Sequence, residues 1–562
     1  MNYKVGLAKV CITPDVIGNV MLGYARPKQK VRGVAQDIYS RALCIQSEQD
    51  LLFFLNIEIC FPTQLLHDAL LKNLQKEIPH IEEKNLIITT QHTHSAPGGI
   101  SAHALYNFSN QGFCPKTFNT YLDGSSRALV KAFKDLKPST IKLKEGSFHP
   151  SEDVAFNRSL NAFQNNKEHK GKESVPSNLA IDRRSKQLEF WDENLRGFIN
   201  FFGVHCTSLS SKNQLIHPDN KGVASAKSEG RNLKSVCIFA QGYAGDISPN
   251  FIPDARSHRG FRGISKDEFT CADFTGHLQH EMSEKLLTKE ASQKIEKSLK
   301  LHSCYLDFSN LLASKEYEEF YGQENLRTTS GAIGSSMIIG SPSDGLAFNQ
   351  SILPVFKKVL TSTNAHFFKQ MSNEDQADYK NHLDAQAEKV IAIDSGTGMF
   401  MAHDGKLPLQ VLGAFDPILR CISQQKERGA LNTLPWIQEV HKINFFQIDQ
   451  VLFISIPFEI TTTAGFRLEN SLKKVIANSE ITELIIVPYA NSYCGYLVTP
   501  EEYEVQTYEG AHCIFGKWIL PCFQSALEVE LKKFMANSLD ENRLRPLKIA
   551  QEEIEKRTNS KY

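Results

Sequence analysis

Residues 51–99 read LLFFLNIEICFPTQLLHDALLKNLQKEIPHIEEKNLIITTQHTHSAPGG, and their order of patterns decides the fold class. Leu51 to Ile59 is an apolar run interrupted only by Asn56 and Glu58, the pattern of a buried strand. It is far shorter than the ~20 residues a membrane helix needs. Gln64 to Lys76 carries helical spacing, and Leu86 to Thr90 is a second β-rich run. Strand, helix and strand in succession predict an α/β architecture.

The alternation extends over the first 135 residues. The polar stretch Gln164 to Ser177 has the composition of a surface loop, an insertion and not a domain break, because apolar runs resume at Leu188 to Trp191 and Phe198 to Val204. Residues 283–300 and 361–390 are expected to be helical and exposed, and Val451 to Ile456 and Leu484 to Pro488 to be buried strands. No internal repeat is visible. The charged, weakly amphipathic Asp540 to Tyr562 reads as a terminal helix or frayed tail.

Composition narrows the function classes. The chain has 562 residues, 41% hydrophobic and 22% charged, as an ordinary globular protein does. Lys plus Arg and Asp plus Glu are both 63, so no global basic field exists to attract nucleic acid. The opening MNYKVGLAKVCITPD enters a strand-like run at once and lacks a secretory pattern. The expectation is a cytoplasmic protein, or one exported by a route without an N-terminal signal. Twelve cysteines with no CxxC pair fit reduced thiols better than a disulfide framework or a cysteine zinc site.

Several segments carry candidate chemistry. In QHTHSAPGG, His92 and His94 follow a β-branched run, and in an extended chain positions i and i+2 share a face, so both imidazoles can enter one cavity as zinc ligands. An isolated HxH is equally what two hydrogen-bonded loop histidines look like. His205 in FINFFGVHCTS ends another apolar run, where α/β sheets present functional groups, although a satisfied core histidine has the same signature. Ser248 lies in GDISPN, a turn whose small residues let backbone approach a ligand. Glu459 in VLFISIPFEITTTAGFRLE ends a strand before a Thr-rich turn suited to capping a helix. Its bland alternatives are a cap or an ion pair with Arg467. Tyr493, Tyr496, Tyr503 and Tyr508 crowd one segment, as tyrosines that simply pack also do.

Taken together, nine blocks resemble the neutral, non-lysosomal ceramidase family in order and wording: GLAKVCITP, MLGYA, QHTHSAPGG, FNRSLNAFQNN, VHCTSLS, DNKGVAS, GDISPN, PFEITTTAGFRL and YLVTPEEYEVQTYEG. The resemblance covers roughly residues 4 to 530. It implies multi-layer mixed β-sheets with flanking helices in a catalytic domain over residues 1–537, followed by a charged tail or helix over 538–562. It also implies one zinc ion held by His92, His205, Glu459 and Tyr496. His94 matches a proton donor to the leaving amine, Arg158 and Tyr508 match groups facing the reacting amide, and Ser248 matches an essential serine that either attacks or assists. The implied reaction is hydrolysis of the N-acyl amide of ceramide to a sphingoid base and a fatty acid, at a membrane surface or micelle.

Departures from the family pattern stand at Phe458, where glycine is usual, at Ala96 in Ser95-Ala96-Pro97-Gly98-Gly99, and at Leu160 in place of a common proline. They leave the ligand types intact and bear on pocket width. The stretch from His205 to Ser248 is also short for the family, and the resemblance stops near Phe534, so the C-terminal β-sandwich that usually follows in the family is not expected in these residues. Three other readings compete: a zinc hydrolase of another N-acyl lipid or amide, an HxH amidohydrolase of the barrel type, and a non-catalytic lipid-binding relative. The barrel type requires eight regular β/α units, which the Glu459 and Tyr496 motifs fit badly.

Overall fold

The strand, helix, strand unit of residues 51–90 is built as expected, and the chain builds it three times. The computed structural model describes residues 3–559 except 49, 232–233, 258, 292, 296–297, 342, 347–350, 352, 396–416, 432 and 539–543. In its first unit, Lys4–Cys11, Tyr39–Ser47 and Asp50–Ile57 pair antiparallel in sequence order. The chain then crosses through the Gln64–Glu77 helix to Leu86–Thr90, which lies parallel to Asp50–Ile57. The second unit repeats the path with Thr140–Ser147, Arg184–Trp191, Leu195–Phe202, the Asp219–Gly230 helix and the parallel Val236–Gln241. The third uses Leu299–Asp307, Val440–Ile448, Val451–Ser455, the Thr462–Ile476 helix and the parallel Glu483–Val487. This repetition escapes sequence reading because a hairpin and a crossover helix demand only apolar spacing, not shared residues.

The three sheets meet face to face in one core. Leu52 and Phe54 point into it while Phe53 and Leu55, on the opposite face, lie beneath the Gln64–Glu77 and Pro115–Lys134 helices. A strand covered on both faces loses the apolar-polar alternation, which is why Leu51 to Ile59 reads as one continuous run. At the junction one phenylalanine comes from each sheet. Phe54 and Phe201 have centroids 6.4 Å apart, and Phe201 and Phe453 6.1 Å. Because these sheets are mixed, the parallel-barrel alternative is excluded.

Two local expectations need correction. The helix expected over 283–300 ends at Thr288, and the chain becomes strand at Leu299–Asp307. In between, Gln293–Ile295 is a short edge strand paired antiparallel with Thr140–Ser147, too short to show the period-2 pattern that separates strand from helix. The segment 361–390 is helical, but as two helices, Leu353–Phe368 and Asn373–Gln386. Residues 540–543 and 560–562 of the C-terminal segment lie outside the described residues. Within it, Gln551–Arg557 is a helix whose Arg557 is buried and bonded to the Ala430 carbonyl. Among the described residues no helix is long and apolar enough to cross a membrane, and all twelve cysteines are free.

Phe201 touches an aromatic ring of both other sheets, so Phe201→Ala is expected to destabilise the fold by about 3–5 kcal/mol, the usual range for a core Phe truncation. Denaturant unfolding followed by fluorescence measures this, and a loss below about 1 kcal/mol would show that the junction does not hold the sheets together.

Candidate metal centre

Each unit ends in a parallel strand pair, and the segments leaving those pairs run into one another. Thr93 bridges Cys206, the Gly245 amide donates to the Ile460 carbonyl at 2.8 Å, and the Asn491 amide donates to the Ile88 carbonyl at 2.7 Å. Joined in this ring, the three units bring His92, His205, Glu459 and Tyr496 together from positions hundreds of residues apart. Glu459 and Tyr496 are directly paired across a short parallel bridge.

The imidazoles are oriented by the backbone. His92 Nδ1 lies 2.7 Å from the Cys60 carbonyl, and His205 Nδ1 lies 2.6 Å from the Ala244 carbonyl and 3.0 Å from that of Ile247. Carbonyls only accept, so each Nδ1 carries the hydrogen and each Nε2 is the atom that could bind a metal. Both Nε2 atoms point at Glu459, His92 at 3.3 Å from Oε1 and His205 at 3.0 Å from Oε2. The Tyr496 hydroxyl lies 3.4 Å from His205 Nε2. All four residues are buried, at 1–2% exposure.

Electrostatics favour a cation among these donors. Burial alone would raise the Glu459 carboxyl, but His92 and His205 hold it well below the usual carboxylate range. Burial likewise opposes charge on His92, yet Glu459 and Cys60 outweigh it and push the imidazole up to about 10. The carboxylate thus demands a positive charge in this space, and a metal ion can supply it where a proton otherwise would. Ligand atoms of His92, His205 and Glu459 all lie within 4.8 Å of one another, and two nitrogens with a carboxylate are a donor set that suits zinc. Tyr489 and Tyr493 also donate to the Glu459 oxygens, fixing the carboxylate from behind.

His94 lies beside this cluster, its Nε2 3.1 Å from His92 Nε2. The convergence is not produced by an extended chain, as its spacing suggested. His92 adopts the left-handed region at φ 70°, a strained conformation for a residue with a side chain, of the kind concentrated at functional sites. Gly23 makes room for the His94 ring, since a Cβ there would come within 2.4 Å of His94 Cγ. Burial and the neighbouring imidazoles keep His94 neutral, well below the usual histidine range.

Arg158 is held on all sides. It donates to Glu509 at 2.8 Å, Asp344 at 2.7 Å, the Gly245 carbonyl at 2.9 Å and the Tyr496 hydroxyl at 3.0 Å. Ser248 donates to Asp344 at 2.8 Å and accepts from the Asn250 amide at 3.0 Å. Tyr508 packs edge-on to Tyr496, at 5.7 Å between centroids, and its hydroxyl makes no hydrogen bond to the described residues.

The bland alternatives for Glu459 fail. Arg467 pairs instead with Glu168 and Glu501, and the helix Thr462–Ile476 is capped by Asp246, which accepts from the Thr462 amide. Phe458 points away from the site into the core, stacked on Phe308 at 4.9 Å, so it does not narrow the pocket. Sequence reasoning missed Tyr489 and Asp344. Tyr489 follows a buried strand just as His205 does and was open to the same strand-end argument. Asp344 lies in the sequence Ser-Pro-Ser-Asp-Gly, which carries no signal beyond its composition.

A family model described as neutral/alkaline non-lysosomal ceramidase, N-terminal, matches residues 3–414 and 425–525. Neutral ceramidase of Pseudomonas aeruginosa is 30% identical over 538 residues, covering 93% of this chain and 71% of that protein. Neutral ceramidase A of Dictyostelium discoideum is 28% identical with the same shares covered. Among solved structures, the neutral ceramidase from Pseudomonas aeruginosa matches with a TM-score of 0.75 at 27% identity, over 96% of this chain and 75% of that one. A structure described as ceramidase complexed with C2 matches at 0.77, also at 27% identity, over 97% and 78%. The mixed α/β architecture is therefore that of the neutral ceramidase structure.

His92→Ala and Glu459→Ala are each expected to abolish stoichiometric zinc in the purified protein. Tyr493→Phe, which removes only a supporting hydrogen bond, is expected to keep zinc with affinity weakened about 10–100-fold. Emission spectrometry and chelator competition measure both, and full zinc in the Glu459 variant would contradict this donor set.

Proposed function

The chain belongs to the neutral/alkaline non-lysosomal ceramidase family, and from that premise we propose that it cleaves ceramide at a zinc ion held by His92, His205, Glu459 and Tyr496. The reaction is hydrolysis of the N-acyl amide, giving a sphingoid base and a fatty acid. The observation that carries the zinc assignment is the pair of backbone-pinned imidazoles whose Nε2 atoms face one buried carboxylate. When bound, zinc supplies a Lewis acid that polarises the amide carbonyl and acidifies water.

The side chains supply the rest. An unactivated amide needs a proton acceptor for the attacking water, a donor to the developing oxyanion and a proton for the departing nitrogen. His94 is neutral and adjacent to the ligands, so its Nε2 takes the proton from water and returns it to the leaving nitrogen. The Tyr508 hydroxyl, which makes no hydrogen bond to the described residues, is suited to donate to the carbonyl oxygen. Arg158 holds the Tyr496 hydroxyl and adds positive charge beside the same oxygen. Glu459, bonded by two tyrosines, is a poor base and serves as an anionic ligand.

For Ser248 the surroundings favour assistance over attack. A nucleophilic hydroxyl must lose its proton, and this one donates to Asp344, a carboxylate already saturated by Arg158, Thr207 and Asn250. Among the described residues no base other than this carboxylate accepts from the Ser248 hydroxyl. Because ceramide carries two hydrocarbon chains and stays in a lipid phase, the enzyme works at a membrane surface or micelle.

Fatty-acid release from labelled ceramide in detergent micelles tests this reading. The native protein is expected to release fatty acid, to stop when zinc is stripped and to recover when zinc is restored, with no burst of acyl-enzyme before steady state. Undiminished turnover of the stripped protein would refute the zinc assignment, and intact ceramide with zinc-loaded protein would refute the substrate.

A further inference from the structure

We infer that Asp344 is a positioning residue for the hydrolytic site, fixing the Ser248 hydroxyl and the Arg158 guanidinium in one arrangement. The inference rests on the reading of the preceding subsection. Asp344 sits at 3% exposure in the turn between two short antiparallel strands, Gly340–Ser341 and Gly345–Leu346. Its Oδ1 accepts from Ser248 Oγ at 2.8 Å, Thr207 Oγ1 at 2.9 Å and Asn250 Nδ2 at 2.9 Å. Its Oδ2 accepts from Arg158 Nη1 at 2.7 Å and Ser343 Oγ at 3.1 Å.

One carboxylate therefore ties together three segments that reach the site by separate routes. Thr207 follows the ligand His205. Ser248 and Asn250 follow Ile247, whose carbonyl orients His205 Nδ1. Arg158 holds the hydroxyl of Tyr496. An ionised carboxylate offers about four lone-pair sites, and five donors fill them. Burial alone would raise this carboxyl, but Arg158 and His205 hold it well below the usual range, so it acts as an acceptor and not as a base.

Two consequences follow for the reacting groups. The Ser248 hydrogen is committed to Asp344 and one of its lone pairs to the Asn250 amide, so the hydroxyl cannot rotate freely. The Arg158 fork has Nη1 anchored at Asp344 and Nε at Glu509, which leaves Nη2 aimed at Tyr496 and the Gly245 carbonyl. Asparagine at position 344 would keep the shape but replace one acceptor oxygen with a donor, setting N–H against N–H or O–H on one side.

The test compares native protein, Asp344→Asn, Ser248→Ala and the double variant for kcat, KM, zinc content and thermal midpoint. Asp344→Asn is expected to lower kcat about 100-fold while KM changes less than about threefold and zinc stays stoichiometric, as for loss of an aligned transition-state donor. Because the two residues act as a unit, the losses in kcat are expected not to multiply in the double variant. A merely structural role would instead lower the thermal midpoint and multiply. If Asp344→Asn does not fold, Thr207→Val removes one of the donors fixing the carboxylate and is expected to lower kcat about tenfold at unchanged KM. An active native protein whose Asp344→Asn form, or failing that its Thr207→Val form, keeps native kcat overturns this inference. A native protein that releases no fatty acid overturns the preceding reading instead.

Discussion

The site depends on three sheets burying their faces against one another around Phe54, Phe201 and Phe453. Burial of that shared core is the dominant favourable term available to such a fold, and close packing leaves the sheets little freedom to slide. Each sheet ends in a parallel strand pair, and the crossover helix that makes the pair parallel also sends the segments beyond the strands to the same end of the core. Convergence of His92, His205, Glu459 and Tyr496 is thus a consequence of sheet packing. The bridges Thr93 to Cys206, Gly245 to Ile460 and Asn491 to Ile88 close the ring at the level of the backbone. The glycine at 245 is needed there, since a Cβ would come within 2.8 Å of the Ile460 carbonyl carbon.

Within that ring the ordering force is charge. A carboxylate removed from water is costly unless it is paired and hydrogen-bonded. Glu459 meets that condition with two imidazoles in front and two tyrosine hydroxyls behind. Arg158 is the second buried charge, compensated by Asp344 and Glu509, and the Tyr496 hydroxyl joins it to the first centre through His205. Two networks, one built on a carboxylate and one on a guanidinium, share a tyrosine. In the proposed reaction the first network would hold the cation and the second would face the developing negative charge, which amide hydrolysis requires side by side.

Much of this was legible in the sequence, and the rest was hidden for identifiable reasons. The strands at Leu51, Leu86, Val451 and Leu484 are apolar runs long enough to declare themselves, and they occur as read. The candidate ligands His92, His205, Glu459 and Tyr496 were each ambiguous alone and became a set only through the resemblance of whole blocks. The threefold topology was invisible because sheet pairing selects hydrophobic spacing and not identity. The left-handed His92 was hidden because HxH spacing looks the same whether the chain is extended or turned. Asp344 lay beyond reach because its partners, Arg158, Thr207 and Ser248, are separated from it by 186, 137 and 96 positions, and no local pattern encodes a contact of that range.

The central claim is that the three units meet to hold one zinc ion. Anomalous diffraction from crystals grown with zinc, recorded on both sides of the zinc edge, tests it most directly. The account predicts a single strong peak about 2.0–2.2 Å from His92 Nε2, His205 Nε2 and a Glu459 oxygen, with the Tyr496 hydroxyl completing the shell. A peak elsewhere, or none within reach of both Nε2 atoms, would contradict it.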